Sequence, residues 1–465
     1  MSKWMVAAKK ADFYAIAQQY HISPVLARII RNRDVIDNAD IDKFLSGTRK
    51  DLYAPDLLKD MDKSVAILKD KIAQNKHIRI IGDYDIDGVC STYILFKGLK
   101  HCGAIVDTAI PHRMKDGYGL NEHLIQEAYE AGADTVLTCD NGIAAFEQVE
   151  YANKLGMTVV ITDHHEVPYE EADGVRNYRI PPAAAVVDPK QQDCPYPFPE
   201  ICGAVVAYKL VLALTAQMQG VNWQQVMESE IGLELLEFAA FATIGDVMEL
   251  RDENRIIVKE GLELMKHTRN TGLEALIRAT GTDPEHIKPY TIGFVLGPCL
   301  NATGRLDTAD HALALFEAED TAEAARIAGD LKDMNDSRKE LTLAGVEEAI
   351  AQIEGSNLAK DDILVVYLPE VHESLAGIIA GRIREKYNKP AFVLTRAEEG
   401  VKGSGRSIDA FHMYDEMTKC KQLFTKYGGH KLAAGVSMPE ENVDEFRRQI
   451  NGNSHLTKDD FEEKV

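Results

Sequence analysis

The chain has 465 residues, of which 45% are hydrophobic and 27% charged, ordinary proportions for a globular protein with room for several packed domains. A formal net charge of −22 excludes a uniformly basic nucleic-acid-coating protein, though an acidic body can still carry a locally positive cleft. No apolar run approaches the roughly 20 residues of a membrane span, the N-terminus has no cleavage-like signal, and the seven cysteines are scattered without a CxxC, which argues against a disulfide framework or a zinc cluster; the expected setting is the cytoplasm, away from membranes.

In chain order, residues 1–60 read as short helices and loops, a helical extension. From about residue 61 the pattern alternates. "HIRIIGDY" (77–84) reads as a strand, "GVCSTYILFKGLKHCG" (88–103) as a helix and "AIVDTAIP" (104–111) as a strand. A helix over "NEHLIQEAYEAGA", a strand at 134–139, a helix over "AAFEQVEYANKLG" and a strand at 158–162 continue the series. Such alternation predicts βαβ units and a mostly parallel sheet. The proline-rich stretch 181–200 reads as irregular surface chain. Residues 203–265 are mostly helical. The stretch 318–356, charged, alanine-rich and free of proline, predicts one or two long helices. A second α/β unit begins at "DILVVYLP" (362–369) and carries "GSGRS" (403–407) and "GGHKLAAG" (428–435). The expected organisation is a helical extension at 1–60, a parallel-sheet α/β domain at 61–315, a helical linker at 316–358 and a smaller α/β domain at 359–455.

Ligands of an open parallel sheet bind beyond the carboxyl ends of its strands. Three predicted strands end in acids: Asp83, Asp85 and Asp87 in "GDYDIDG", Asp140 in "CDNG", and Asp163 before His164 and His165 in "ITDHH". If "DYDID" stays extended, alternation puts its three aspartates on one side. Carboxylates gathered in one place stay ionised together only with a counter-charge. A pair of divalent cations supplies it, and imidazole among carboxylates suits manganese or zinc, carboxylates alone magnesium. Taken singly, each acid has a plainer reading as a helix cap or a turn former. Three strand ends carrying metal-binding groups together favour the metal. A fourth acid, Asp246 in "IGDVMEL", follows an apolar helix, and spacing alone does not separate it from Glu249 or Asp252.

These motifs together resemble the DHH phosphoesterase superfamily and, within it, the RecJ type of single-strand-specific 5′→3′ exonucleases. "GDYDIDG", "CDNG", "ITDHH" and "IGDVMEL" match the four phosphoesterase motifs, and "GYGL" (117–120), "NATGRLD" (301–307), "GSGRS" and "GGHKLAAG" match further RecJ-type and DHH-associated elements. The resemblance runs in order from about residue 25 to 450. It implies a DHH phosphoesterase domain joined by a long helical linker to a smaller DHH-associated domain. It implies cleavage of phosphodiesters with two divalent metal ions, manganese or magnesium. Carried over residue by residue, Asp85, Asp87, Asp140, His164 and Asp246 are the implied metal ligands, with Asp140 bridging. Where several sister families place a histidine, this chain has Ile81, with Asp83 taking a polar role nearby. Asp163 is implied as a support and His165 as a phosphate-contacting or proton-donating group. Arg113, Ser404 and Arg406 are implied to hold a 5′-phosphate, Arg305 to contact the strand, and His430 to act near the scissile bond. Guanidinium groups bind phosphate bidentately, and glycines let backbone N–H groups approach it.

The expected activity is hydrolysis of single-stranded DNA to 5′-mononucleotides in repair and recombination. By resemblance the partners are single-stranded DNA, a single-strand-binding protein and a RecQ-type helicase, and a monomer is expected. Tyr84, Tyr118 and Phe411 are candidate stacking platforms for bases. Many RecJ-type enzymes continue into an OB-fold, and none is expected within these residues. Two other readings compete: a DHH phosphodiesterase for short oligonucleotides or cyclic dinucleotides, and a non-catalytic replication scaffold. The first of these lacks "NATGRLD" and the N-terminal extension, and the second has lost ligands that are all present here.

Overall fold

In the computed structural model, described for residues 4–7, 9–112, 116–172, 175–306, 308–397 and 399–462, the chain divides into two compact units. One is Lys9–Asn335, and the other takes Asp336–Val465 with the N-terminal tip Met1–Ala8.

Three short helices open the larger unit: α1 (Phe13–Tyr20), α2 (Pro24–Asn32) and α3 (Asn38–Ser46). Ser23 caps α2 by accepting from the Leu26 N–H, and Pro24 takes the first helical position, where no N–H is needed. After α4 (Met61–Ala73) come β1 (His77–Ile81), α5 (Ile86–His101), β2 (Ile105–Ala109), α6 (Glu122–Glu130), β3 (Thr135–Cys139), α7 (Phe146–Lys154) and β4 (Thr158–Thr162). A hairpin, β5 (Tyr169–Ala172) and β6 (Val175–Tyr178), precedes β7 (Ala185–Val187). Strands run β2-β1-β3-β4-β7, each pair parallel.

Both faces of this sheet are covered, so its strands are near-continuous runs of β-branched and apolar residues. Alternation sorts them. Ile78, Ile80, Leu137, Cys139, Val160, Ala185 and Val187 join the core beneath α5 and the helices that follow. Ile81, Val136, Val159, Ile161 and Val186 pack with Leu124, Ile125 and Val149 of α6 and α7. The β7 strand corrects the reading of 181–200 as surface chain. Ala185, Val186 and Val187 are buried, and the prolines flank a short strand without interrupting it.

A helical layer follows: α8 (Gly203–Gln219), α9 (Trp223–Met227), α10 (Glu230–Gly245), α11 (Asp252–Met265) and α12 (Thr271–Ala279). Apolar on nearly all sides, α10 is packed among α5, α8 and α11. It carries one buried acid, Glu237, whose Oε2 has no hydrogen-bond partner among the described residues. Burial pushes this carboxyl up to about 7, against a hydrogen bond from Thr268 that lowers it. Below its ordinary value of 4.5 the group is neutral in both states. Between there and about 7 the unfolded chain ionises while the folded one does not, so stability falls with rising pH across that window. Glu237→Gln is expected to remove this loss, by at most about 3 kcal/mol at slightly alkaline pH and by nothing in acid. Urea midpoints of the two proteins that coincide at alkaline pH would refute it.

The larger unit ends with a one-turn helix α13 (Pro289–Thr291), a π-helical turn (Ile292–Leu296), α14 (Gly297–Leu306) and α15 (Asp310–Glu317). A single 34-residue helix, α16 (Thr321–Glu354), runs across the division between the units.

The smaller unit contains β8 (Leu364–Tyr367), α17 (Ala376–Tyr387), β9 (Ala391–Arg396), β10 (Val401–Arg406), α18 (Met413–Thr418), β11 (Lys426–Gly429), β12 (Ala433–Met438) and α19 (Val443–Gly452). Its sheet runs β11-β12-β10-β9-β8, antiparallel except for β8 with β9. Phe411, a candidate base platform in the sequence, is buried in this unit's core, so it has no face free for stacking.

Candidate metal centre

Four strands of the parallel sheet lead into an aspartate: β1 into Asp83, β3 into Asp140, β4 into Asp163 and β7 into Asp188. The strand order reverses between β1 and β3, the position at which doubly wound sheets open a crevice.

The first motif does not stay extended, contrary to the sequence expectation. The chain turns into α5 at Ile86, and Asp85 is its N-cap, accepting from the Asp87 and Gly88 N–H groups at 3.0 Å each. The alternation therefore stops at Asp85, and Asp87 lies in the first helical turn. Gly88 makes the tight turn feasible, since a Cβ there would sit 2.3 Å from the Asp83 carbonyl oxygen. Asp83 is buried and accepts from the Gly119 N–H at 3.2 Å, holding the "GYGL" loop.

Asp87 is gripped from the far side. Gly203 N–H and Ala204 N–H, at the start of α8, donate to its two oxygens at 2.6 and 2.8 Å. The N-terminus of a 17-residue helix favours the anion there. Gly203 allows the approach, because a Cβ would come within 2.8 Å of the Asp140 Cβ. Asp140 holds a left-handed backbone, φ 60°, a conformation that aspartate and asparagine tolerate better than other side chains.

Asp163 anchors the "DHH" turn. Its Oδ1 accepts from the backbone N–H groups of His164 and His165 at 2.7 and 3.3 Å and lies 2.7 Å from His165 Nδ1. Its Oδ2 accepts from the Ile143 N–H at 2.9 Å. Tyr118 adds a further tie: its hydroxyl donates to the Asp140 carbonyl at 3.0 Å and lies 3.1 Å from His165 Nε2.

These supports converge on His164. Its Nε2 lies 3.1 Å from Asp140, 3.5 Å from Asp87 and 3.9 Å from Asp246, the residue that caps the end of α10. His165 Nδ1 is 4.0 Å from the same Asp140 oxygen. Asp140 falls in one group capable of holding an ion, with His164 and His165, and His164 links it to a second, with Asp87 and Asp246.

The electrostatics are those of a cation site. Burial, then the charges of Asp87 and Asp85, push the Asp140 carboxyl well up. Burial and Asp87 raise Asp85, and burial with Asp87 and Asp85 pushes Asp246 up to about 7. Burial pulls His164 down, leaving a neutral imidazole whose nitrogen can ligate. His165 goes the other way. Burial opposes its charge, but the hydrogen bond and charge of Asp163 overcome this and push it up to about 9. Carboxylates that repel one another around a neutral imidazole fit divalent manganese or magnesium. Asp83, Tyr84, Asp85, Asp246, Asn301 and Gly304 border a cleft of ≈ 320 Å³ in front of them.

Asp188 escaped the sequence reading. It is fully buried, and burial together with the charge of Asp163 pushes it up to about 7. "AAAVVDP" repeats the apolar-run-then-acid pattern of "TVVITD", and the flanking prolines hid it. Also illegible were the α8 N-terminus on Asp87 and the Tyr118 hydroxyl, since both contacts are long-range.

The other expected substrate contacts are distributed as follows. Ser404 and Arg406 share one face of β10, with Arg406 Nη1 donating to Ser404 Oγ at 2.9 Å and to the Gly405 carbonyl at 2.8 Å. Gly377 leaves room for them, since a Cβ would be 2.9 Å from Arg406 Nη2 and 3.1 Å from Ser404 Oγ. His430 is exposed just past β11. Arg305 falls within α14, but its side chain lies outside the described residues, as does the whole of Arg113.

Residues 77–243 match the family model for the DHH family N-terminal domain, and residues 360–453 that for the DHHA1 domain. Over 439 residues the chain is 33% identical to the single-stranded-DNA-specific exonuclease RecJ of Dickeya dadantii, covering 92% of this chain and 74% of that protein. The chain belongs to the RecJ family. A relative of the same name from Bacillus subtilis is 36% identical over 99% of this chain, which spans 56% of that relative's length. The crystal structure of RecJ from Thermus thermophilus in complex with Mn²⁺ superposes with a TM-score of 0.80 at 28% identity, covering 100% of this chain and 64% of that one. The Mg²⁺ complex of the same protein gives a TM-score of 0.75 at 27% identity, covering 100% and 62%.

Proposed function

We propose that this RecJ-family chain is a metal-dependent 5′→3′ exonuclease that hydrolyses single-stranded DNA to 5′-mononucleotides. The observation that carries the reading is the convergence of Asp87, Asp140 and Asp246 on His164 Nε2 within 3.9 Å. Asp85, Asp87, Asp140, His164 and Asp246 are the proposed ligands of two divalent ions, manganese or magnesium, the ions named in the T. thermophilus structures. Two such ions supply the Lewis acidity that activates a water and stabilises the leaving oxygen of an in-line displacement. Asp140, 3.1 Å from His164 Nε2, is the proposed shared carboxylate, the role that its family motif implies. His165, held protonated by Asp163 and fixed at its other nitrogen by Tyr118, sets a positive charge beside the phosphoryl group.

Arg406 and Ser404 are the proposed holders of a terminal 5′-phosphate, a group that a guanidinium binds bidentately. Arg406→Ala is expected to raise KM for 5′-phosphorylated strands about tenfold or more, the usual worth of charge-assisted hydrogen bonds, and to leave 5′-hydroxyl strands unaffected. An unchanged preference for the phosphorylated end would rule that role out.

The whole reading is tested by incubating the protein with manganese and, separately, a 3′-labelled single strand, a duplex and a dinucleotide. Degradation of the single strand alone is the expected result. Turnover of the dinucleotide alone would point to a short-oligonucleotide phosphodiesterase, and a folded protein that cleaves none of the three would overturn the enzymatic reading.

A further inference from the structure

Tyr290 and Phe294 form the feature that nothing in the proposed chemistry uses. Both are 68% exposed, although large aromatic side chains contribute most when buried. Their rings lie stacked, with centroids 4.8 Å apart and planes at 22°. The pair spans the junction of α13 with the π-helical turn at Ile292–Leu296, and such turns recur at functional positions.

The chain from Pro289 to Leu306 is one uninterrupted helical run. Its far end belongs to the metal cleft: Asn301 and Gly304 border the cleft with Asp85 and Asp246, and a Cβ at Gly304 would be 2.7 Å from the Tyr84 carbonyl. Its middle is fixed to the same motif, since a Cβ at Gly297 would sit 2.9 Å from the Ile86 side chain, between Asp85 and Asp87 in sequence. Ile292 and Leu296 are fully buried beneath. Phe294 precedes Asn301 by seven residues, about 10 Å along a helix, roughly the reach of two nucleotides of extended single strand.

We infer that Tyr290 and Phe294 form a base-stacking platform that holds the single strand outside the metal cleft. The inference rests on the nuclease reading above and adds a strand-positioning site to it. Stacking on exposed rings is indifferent to sequence, because every base has a π face. Lys288, exposed two residues before Tyr290, supplies a cation for the adjoining phosphates. Two rings flanked by the exposed polar residues Glu285, His286 and Lys288 make a patch far smaller than the roughly 800 Å² per partner of a stable protein interface, which favours a nucleic-acid strand as the occupant.

The test compares the wild type with a Tyr290→Ala, Phe294→Ala double variant and a Tyr290→Trp, Phe294→Trp control. KM for a long single strand is expected to rise about tenfold or more in the alanine variant and to be retained in the tryptophan control. Photocrosslinking of a bromouracil-substituted strand, read by peptide mapping, should label residues 289–306 in the wild type and lose that label in the alanine variant. A wild type that cleaves the strand, with an alanine variant of unchanged KM and crosslinking pattern, would overturn the platform alone. A folded wild type that neither binds nor cleaves single strands would overturn the nuclease reading on which it rests.

Discussion

Asp140→Asn is expected to lose turnover by about a thousandfold or more while melting at or above the wild-type temperature in metal-free buffer. The first half follows from position. Asp140 lies 3.1 Å from His164, the residue common to both clusters able to hold an ion, and 4.0 Å from His165. With Asp140 as the proposed shared ligand, removing its charge weakens the hold on both ions, and metal assistance contributes several kcal/mol to a displacement of this kind. The second half follows from repulsion. The carboxyl is 2% exposed, and burial and the charges of Asp87 and Asp85 already work against its ionisation. An amide removes that opposition. Asparagine is the variant of choice because position 140 has φ 60°, which alanine would adopt at a cost of about 1–2 kcal/mol. Steady-state cleavage of a labelled single strand gives the activity. Thermal melts with and without manganese give the binding, and the metal-induced rise in melting temperature should disappear in the variant. Activity within tenfold of wild type would sink the assignment of Asp140 as the shared ligand.

Much of this site can be read along the chain because local signals and topology agree. "HIRII", "TVLTC" and "TVVIT" are strands in a parallel sheet, and acids just past such strands must share an edge whatever the details of packing. That logic was enough for Asp140 and Asp163. It went astray at Asp87, because the alternation assumed for "DYDID" competes with helix capping. An aspartate followed two residues later by Asp-Gly can accept from its own backbone, and here Asp85 does so and starts α5 early. The strand Ala185–Val187 was hidden because prolines dominate its neighbourhood, although they only flank it. Contacts that depend on distant segments left no local trace. The α8 N-terminus grips Asp87 from 116 residues away, and Tyr118 reaches His165 across 47. Asp246 is the intermediate case. Spacing does not separate it from its neighbours Glu249 and Asp252; the family motif implies it, and the fold ends α10 beside His164.

Asp163→Asn is expected to behave oppositely in stability, although it neighbours the same site. Asp163 is 1% exposed and accepts with both oxygens: Oδ1 from two backbone N–H groups and His165 Nδ1, Oδ2 from the Ile143 N–H at 2.9 Å. An amide has only one acceptor oxygen. Its better orientation keeps the carbonyl on the "DHH" turn and turns its NH₂ toward the Ile143 N–H, donor against donor. A buried donor left without an acceptor costs about 1–3 kcal/mol, and the ion pair with His165 is lost as well. The turn that presents His164 loosens, so metal affinity and kcat should each fall about 10- to 100-fold, the usual effect of removing a group that orients a ligand. Urea midpoints and manganese titrations of Asp140→Asn and Asp163→Asn, measured side by side, separate the two roles. An Asp140 variant that is no less stable than wild type but inactive, beside an Asp163 variant that is less stable and slow, is the expected pair. An Asp163→Asn protein that unfolds at the wild-type midpoint would mean that the carboxylate does not organise the turn, and that the orientation of His164 comes from the strand alone.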